Sequence, residues 1–141
     1  ESLPETLGEA GEEPIPCGHE RLLFVDDDAG LTFLVREMLR LQGYRVETCT
    51  AGPEALELVR SDPLAFDLVI TDLFMPQMTG YELAAEILRL RSDMPLILCS
   101  GTATAQVASR AETCGFREFI SKPFSRRDLA VAVRRVLDHL R

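Results

Sequence analysis

The sequence predicts an α/β protein: a doubly wound, five-stranded parallel sheet with helices on both faces. Three observations carry that prediction. Short apolar runs alternate strictly with segments of helical period, five of each. The runs are apolar throughout rather than at every second residue, as strands covered on both faces should be. Their junctions carry Gly, Pro, Ser and Thr where helices start and stop.

The first strand is Leu22-Leu23-Phe24-Val25, ending at Asp26-Asp27-Asp28. Leu31, Leu34, Val35, Met38 and Leu39 follow at i, i+3, i+4, i+7 and i+8, the inward stripe of an amphipathic helix that Gly43 stops. Arg45 to Cys49 is the second strand, and Gly52-Pro53-Glu54 opens the second helix with proline in its first turn. Leu68-Val69-Ile70 forms the third strand and delivers Asp72 to a turn marked by Pro76 and Gly80.

Thr79-Gly80-Tyr81-Glu82 has the spacing of a capping box and starts the third helix, with Leu83, Ile87 and Leu90 facing inward. Leu96 to Cys99 is the fourth strand, leading to Ser100-Gly101. An Ala-rich helix with a weak apolar stripe spans about Thr104 to Cys114, and Gly115 stops it. Glu118-Phe119-Ile120 is the fifth strand and runs into Lys122-Pro123. Ser125 caps the last helix, whose Leu129, Val133, Val136, Leu137 and Leu140 share one face.

Composition narrows the function classes. The net charge of −8 divides unevenly: residues 1–20 hold six Glu and no Lys or Arg, whereas residues 21–141 are nearly balanced at −2. Residues 1–20 are therefore expected to be an acidic flexible linker and residues 21–141 the folded domain. The first residue is Glu rather than Met, an expectation of further protein upstream. The Arg126-Arg127 and Arg134-Arg135 pairs are too few and too separated for a nucleic-acid surface, and are expected on a solvated helix face. No apolar run approaches the roughly 18 residues of a membrane span, so the domain is expected to be cytoplasmic and to make no membrane contact. Cys17, Cys49, Cys99 and Cys114 form no CxxC pair, which argues against zinc or disulfides.

In doubly wound sheets the ligand site lies beyond the carboxyl ends of the strands. Those ends carry Asp26 and Asp27, Asp72, Ser100 and Lys122. Clustered carboxylates repel unless a cation intervenes, and an all-oxygen set without His or Cys suits a hard ion such as Mg²⁺. The chain has 14 Arg and a single Lys, so its one compact ammonium falls beside the acids. A lysine that merely neutralises buried aspartates is the structural alternative. Metal, ammonium, hydroxyl and a carboxylate nucleophile are the parts of phosphoryl transfer. No GxGxxG or GxxxxGK[ST] loop is present to cradle a nucleotide.

Val25-Asp26-Asp27, the run from Asp72 through Met75-Pro76 to Gly80, Ser100-Gly101 and Lys122-Pro123-Phe124 occur in an order that resembles the receiver domains of two-component response regulators. The resemblance covers residues 21–141 and implies a flavodoxin-like (βα)5 fold with strand order 2-1-3-4-5. It implies that Asp72 is phosphorylated by the phosphohistidine of a histidine kinase or histidine phosphotransfer domain. Asp27, Asp72 and the main-chain carbonyl of Phe74 would bind Mg²⁺ directly, and Asp26 through water. Lys122 would pair with the phosphoryl group, Ser100 would hydrogen-bond to it, and Phe119 would be the aromatic switch. Lys122-Pro123 would be a cis peptide. A homodimer through the fourth helix, fifth strand and fifth helix is a further implication.

Three residues depart from the family's usual pattern. Thr79 replaces a frequent Asp, Phe119 lacks a tyrosine hydroxyl, and Phe74 places a large apolar ring two residues after the acceptor. Such a domain assists its own phosphorylation and dephosphorylation but turns over no independent substrate. The acidic segment ahead of it looks like the connection to a hybrid sensor histidine kinase. A stand-alone single-domain regulator, a Mg²⁺-dependent phosphohydrolase with an aspartyl intermediate, and a docking module that is not phosphorylated are the alternatives.

Overall fold

The computed structural model describes residues 14–139. Five parallel strands, β1 (Arg21–Val25), β2 (Arg45–Cys49), β3 (Leu68–Asp72), β4 (Leu96–Ser100) and β5 (Glu118–Ser121), form one sheet in the order β2-β1-β3-β4-β5. Five helices alternate with them: α1 (Ala29–Leu41), α2 (Gly52–Ser61), α3 (Gly80–Leu90), α4 (Ala105–Thr113) and α5 (Arg126–Asp138).

Strand alternation divides the core into two layers. Leu22, Phe24, Leu68, Ile70 and Ile97 pack with α1 and α5 on one face. Leu23, Val25, Val69, Leu96 and Leu98 pack with α2, α3 and α4 on the other. β3 and β4 are buried along their whole length and β1 is buried after Arg21, which accounts for their continuous apolar runs. The edge strands β2 and β5 show mixed burial because one side of each has no neighbouring strand. Phe24 is fully buried, and truncating such a ring to alanine costs about 3–5 kcal/mol.

The helix starts follow their cap residues. Asp28 accepts from the Leu31 N–H at 3.1 Å and starts α1. Thr79 with Glu82, and Ser125 with Asp128, form reciprocal capping boxes at α3 and α5. Gly43 and Gly115, both at φ +100°, turn the chain after α1 and α4.

Two sequence-based placements need correction. Leu34 does not face the core but is 52% exposed, while Thr32, Val35 and Leu39 are buried. It lies about 100° around the helix from Val35, beyond the stripe that reaches the sheet. Arg134 is not on a solvated face either: its guanidinium pairs with the buried carboxylate of Glu20 at 2.8 Å. Leu140, assigned to the inner face of α5, lies outside the described residues.

Residues 14–20 run along the C-terminal end of α1 toward β1. The Gln42 side chain donates to the carbonyls of Ile15 and Pro16, and the Gly18 N–H donates to the Gln42 carbonyl. The rest of the expected linker, residues 1–13, lies outside the described residues. Among the described residues no helix is long and apolar enough to cross a membrane.

Candidate phosphoryl-acceptor site

The site is a consequence of strand order. The chain winds outward from β1 in one direction to β2 and in the other to β3, so the ends of β1 and β3 are neighbours at the point where the order reverses. Asp26 follows the last residue of β1, and Asp72 is the last residue of β3. Asp26, Asp27 and Asp72 each offer a carboxylate oxygen, and these oxygens lie within 4.8 Å of one another.

Lys122 arrives from the other side. Ser100 is in register with Ser121, and the Lys122 N–H donates to the Ser100 carbonyl at 2.9 Å, so the chain leaving β5 stays against β4. The Lys122-Pro123 peptide is cis. The ammonium Nζ lies 2.6 Å from Asp26 Oδ2 and 3.1 Å from Asp72 Oδ1.

Burial makes these contacts consequential. Asp26 is 1% exposed and Asp72 7%, whereas Asp27 is at the surface. Desolvation and the neighbouring Asp26 charge together raise the Asp72 carboxyl above its ordinary range, against the opposing pull of Lys122. Burial alone would lower the Lys122 ammonium, but its hydrogen bonds to Asp26 and Asp72 outweigh that and hold it above its usual value. One ammonium is thus set against three acids. The remaining negative charge and the all-oxygen donor set fit a hard divalent cation.

Ser100 is 1% exposed, and its Oγ accepts from the Thr102 N–H at 3.0 Å. Phe74 is on the surface two residues after Asp72, its side chain well exposed. Phe119 is half-buried at the rim of the core. It lines a cavity of about 610 Å³ between α4, β5 and α5, which does not include the carboxylates. The structure therefore brings Asp26, Asp27, Asp72 and Lys122 into one cluster with Ser100 on the adjoining strand end, while Phe119 lies off the cluster.

Several supports had no recognised signal in the sequence. Asp28 donates its N–H to Asp26 Oδ1 at 3.0 Å, fixing the carboxylate that takes the lysine. The Thr71 hydroxyl donates to the Asp72 carbonyl at 2.9 Å. Gly80 passes so close to Asp72 that an added Cβ would lie 2.4 Å from the Asp72 carbonyl oxygen. Each depends on side-chain direction or backbone proximity, which spacing along the chain does not reveal.

The comparisons with known proteins agree with this fold. A family model described as the response regulator receiver domain matches residues 22–134. The response regulator SaeR of Staphylococcus aureus is 30% identical over 120 residues, which cover 85% of this chain and 51% of that protein. The chain spans about half the length of the curated relatives it matches. Among solved structures, the non-phosphorylated HemR receiver domain from Leptospira biflexa is 38% identical with a TM-score of 0.77, covering 84% of this chain and 94% of that one. A CheY-like receiver domain protein from Methanospirillum hungatei is 30% identical with a TM-score of 0.80, covering 86% and 96% respectively.

Proposed function

This chain belongs to the response regulator receiver domain family, and from that premise we propose that Asp72 accepts a phosphoryl group from a phosphohistidine on a histidine kinase or phosphotransfer domain. The observation that carries the reading is the Lys122 ammonium bonded to both Asp26 and Asp72 at the reversal point of the sheet.

In the proposed step an Asp72 carboxylate oxygen attacks phosphorus. A P–O bond forms as the P–N bond to the donor imidazole breaks, and the imidazole leaves with the electron pair and takes up a proton. Lys122 is positioned to neutralise the charge on the transferred group. In this reading the Ser100 hydroxyl, whose oxygen accepts from the Thr102 N–H, donates a hydrogen bond to one of its oxygens. Mg²⁺, held by Asp27, Asp72 and the Phe74 carbonyl with Asp26 behind a water, would supply charge neutralisation at the phosphoryl oxygens.

In this reading the added charge at Asp72 draws Ser100 and its loop inward, and the half-buried Phe119 ring follows into the space that the loop vacates. Because Phe119 has no hydroxyl, this switch acts through packing. Output passes to α4, β5 and α5 in this reading, and a homodimer through that surface is part of the proposal. The acidic composition of residues 1–20 supports a linker, tied to the domain through residues 14–20, and a parent protein of the hybrid sensor histidine kinase type.

The test is incubation with acetyl phosphate and Mg²⁺ followed by intact mass measurement. One added phosphoryl group is expected, absent in Asp72→Asn and blocked by a chelator. An unmodified protein after incubation refutes the reading. Sustained hydrolysis of an external phosphomonoester would assign the site to a phosphohydrolase instead.

A further inference from the structure

Helix α4 is the least anchored of the five helices. Its nine residues include one buried side chain, Ala111, and Val107 packs only against the rim of the core. Each of the other four helices buries three or more. α3 reaches α4 through Tyr81. The Arg110 guanidinium stands 4.4 Å from the centroid of the Tyr81 ring, and the Tyr81 hydroxyl donates to the Val107 carbonyl at 3.4 Å. Residues 107 and 110 lie one turn apart, so the two contacts grip the same side of the helix. The hydrogen bond is long, and the cation–π contact is the stronger of the pair.

Tyr81 is firmly placed and α4 is not. Tyr81 packs against the core and follows Gly80, which is pressed against the Asp72 carbonyl. The N-terminal end of α4 hangs from the loop that starts at Ser100, with Thr104 as its cap. Ser100 Oγ currently holds that loop by accepting from the Thr102 N–H. A Ser100 side chain drawn toward a group on Asp72 pulls on that bond and on the loop it holds. The contacts to Tyr81 then oppose movement of α4.

We propose that Tyr81 is a latch: its ring and hydroxyl set the resting place of α4, and their strength sets how readily the site can shift that helix. Tyr81 is thus a positioning residue, and Arg110 is its counterpart on α4. The second half of this inference rests on the reading of Asp72 as phosphoryl acceptor.

The experiment combines amide hydrogen exchange of residues 105–113 in the unphosphorylated protein with the rate of loading by acetyl phosphate and Mg²⁺. Arg110→Gln, a surface change, removes the cation and keeps the ring. It is expected to speed exchange in α4 by about two- to fivefold, leaving the central strands unchanged. Tyr81→Leu removes both contacts and is expected to do at least as much, while Tyr81→Phe keeps the ring and stays within about twofold. Loading of the Gln and Leu variants is expected to accelerate by a similar factor, because the loadable conformation is more populated.

Unchanged α4 exchange in Arg110→Gln and Tyr81→Leu overturns the latch. Faster exchange with an unaltered loading rate overturns its control of the switch. A parental protein that takes no phosphoryl group defeats both the acceptor reading and that control of loading, while exchange still decides whether Tyr81 holds α4.

Discussion

Lys122 is bonded more closely to Asp26 than to Asp72: its Nζ is 2.6 Å from Asp26 Oδ2 and 3.1 Å from Asp72 Oδ1. Asp26 is the more deeply buried of the two acids and takes the larger share of the ammonium. Asp72 is left with its carboxyl raised and its charge incompletely matched, which supports the proposal that it gains a cation and then a phosphoryl group.

The first prediction concerns the cation. A ligand present at about 100 times its dissociation constant stabilises the native state by about 2.7 kcal/mol. Mg²⁺ is therefore expected to raise the melting temperature by several degrees. Asp27→Asn, at an exposed position, should fold normally and lose most of that rise. Thermal melts in Mg²⁺ and in chelator measure it. An undiminished rise in both Asp27→Asn and Asp72→Asn would place the ion elsewhere.

Gly80→Ala addresses the placement of Asp72. The new Cβ would lie 2.4 Å from the Asp72 carbonyl oxygen and 3.1 Å from Leu98 Cδ1, so the start of α3 must shift. We expect a loss of about 1–3 kcal/mol in urea unfolding and a slower gain of the phosphoryl mass in the same preparation. Stability and loading rate both equal to the parent's would show that the contact relaxes without consequence.

Phe74 bears on the lifetime of the modified state. Its ring is exposed two residues past Asp72, and under the proposed function it is expected to screen an acyl phosphate there from water. Phe74→Asn is expected to lose its phosphoryl group several-fold faster after the donor is removed, with stability unchanged within about 0.5 kcal/mol. Decay followed by intact mass decides the matter, and equal half-lives would dismiss the screen.

Glu20 and Arg134 give a pH dependence remote from the site. The Arg134 hydrogen bonds, opposed by burial, hold the Glu20 carboxyl at about 2, below its ordinary value of 4.5. A depressed carboxylate contributes stability that is complete above the unfolded value and is lost as the pH falls through the folded one. Glu20→Gln should therefore be less stable than the parent by about 2–3 kcal/mol at pH 7. The gap should narrow as the pH falls from about 4.5 toward 2. A gap that is constant across that range would mean that the pair does not titrate with folding.

The five strands, the five helices and the caps at Thr79 and Ser125 were legible in the sequence because they depend on local chemistry. Thr79 with Glu82 closes a capping box over three residues of chain, and continuous apolar runs mark the central strands. The site residues were legible for a related reason. In a parallel sheet every strand end points the same way, so naming the strands named Asp26, Asp72, Ser100 and Lys122.

What only the tertiary structure decided is who meets whom across distant stretches of chain. Leu34 is exposed and Thr32 is buried because the sheet, and not helical period alone, fixes which arc of α1 is covered. Arg134 left the solvated face once a buried Glu20 lay within reach, 114 positions away in the chain. Tyr81 meets Arg110 because α3 and α4 cover the same face of the sheet. Periodicity and caps are properties of a few consecutive residues, whereas pairing and exposure are set by packing, which the whole chain determines together.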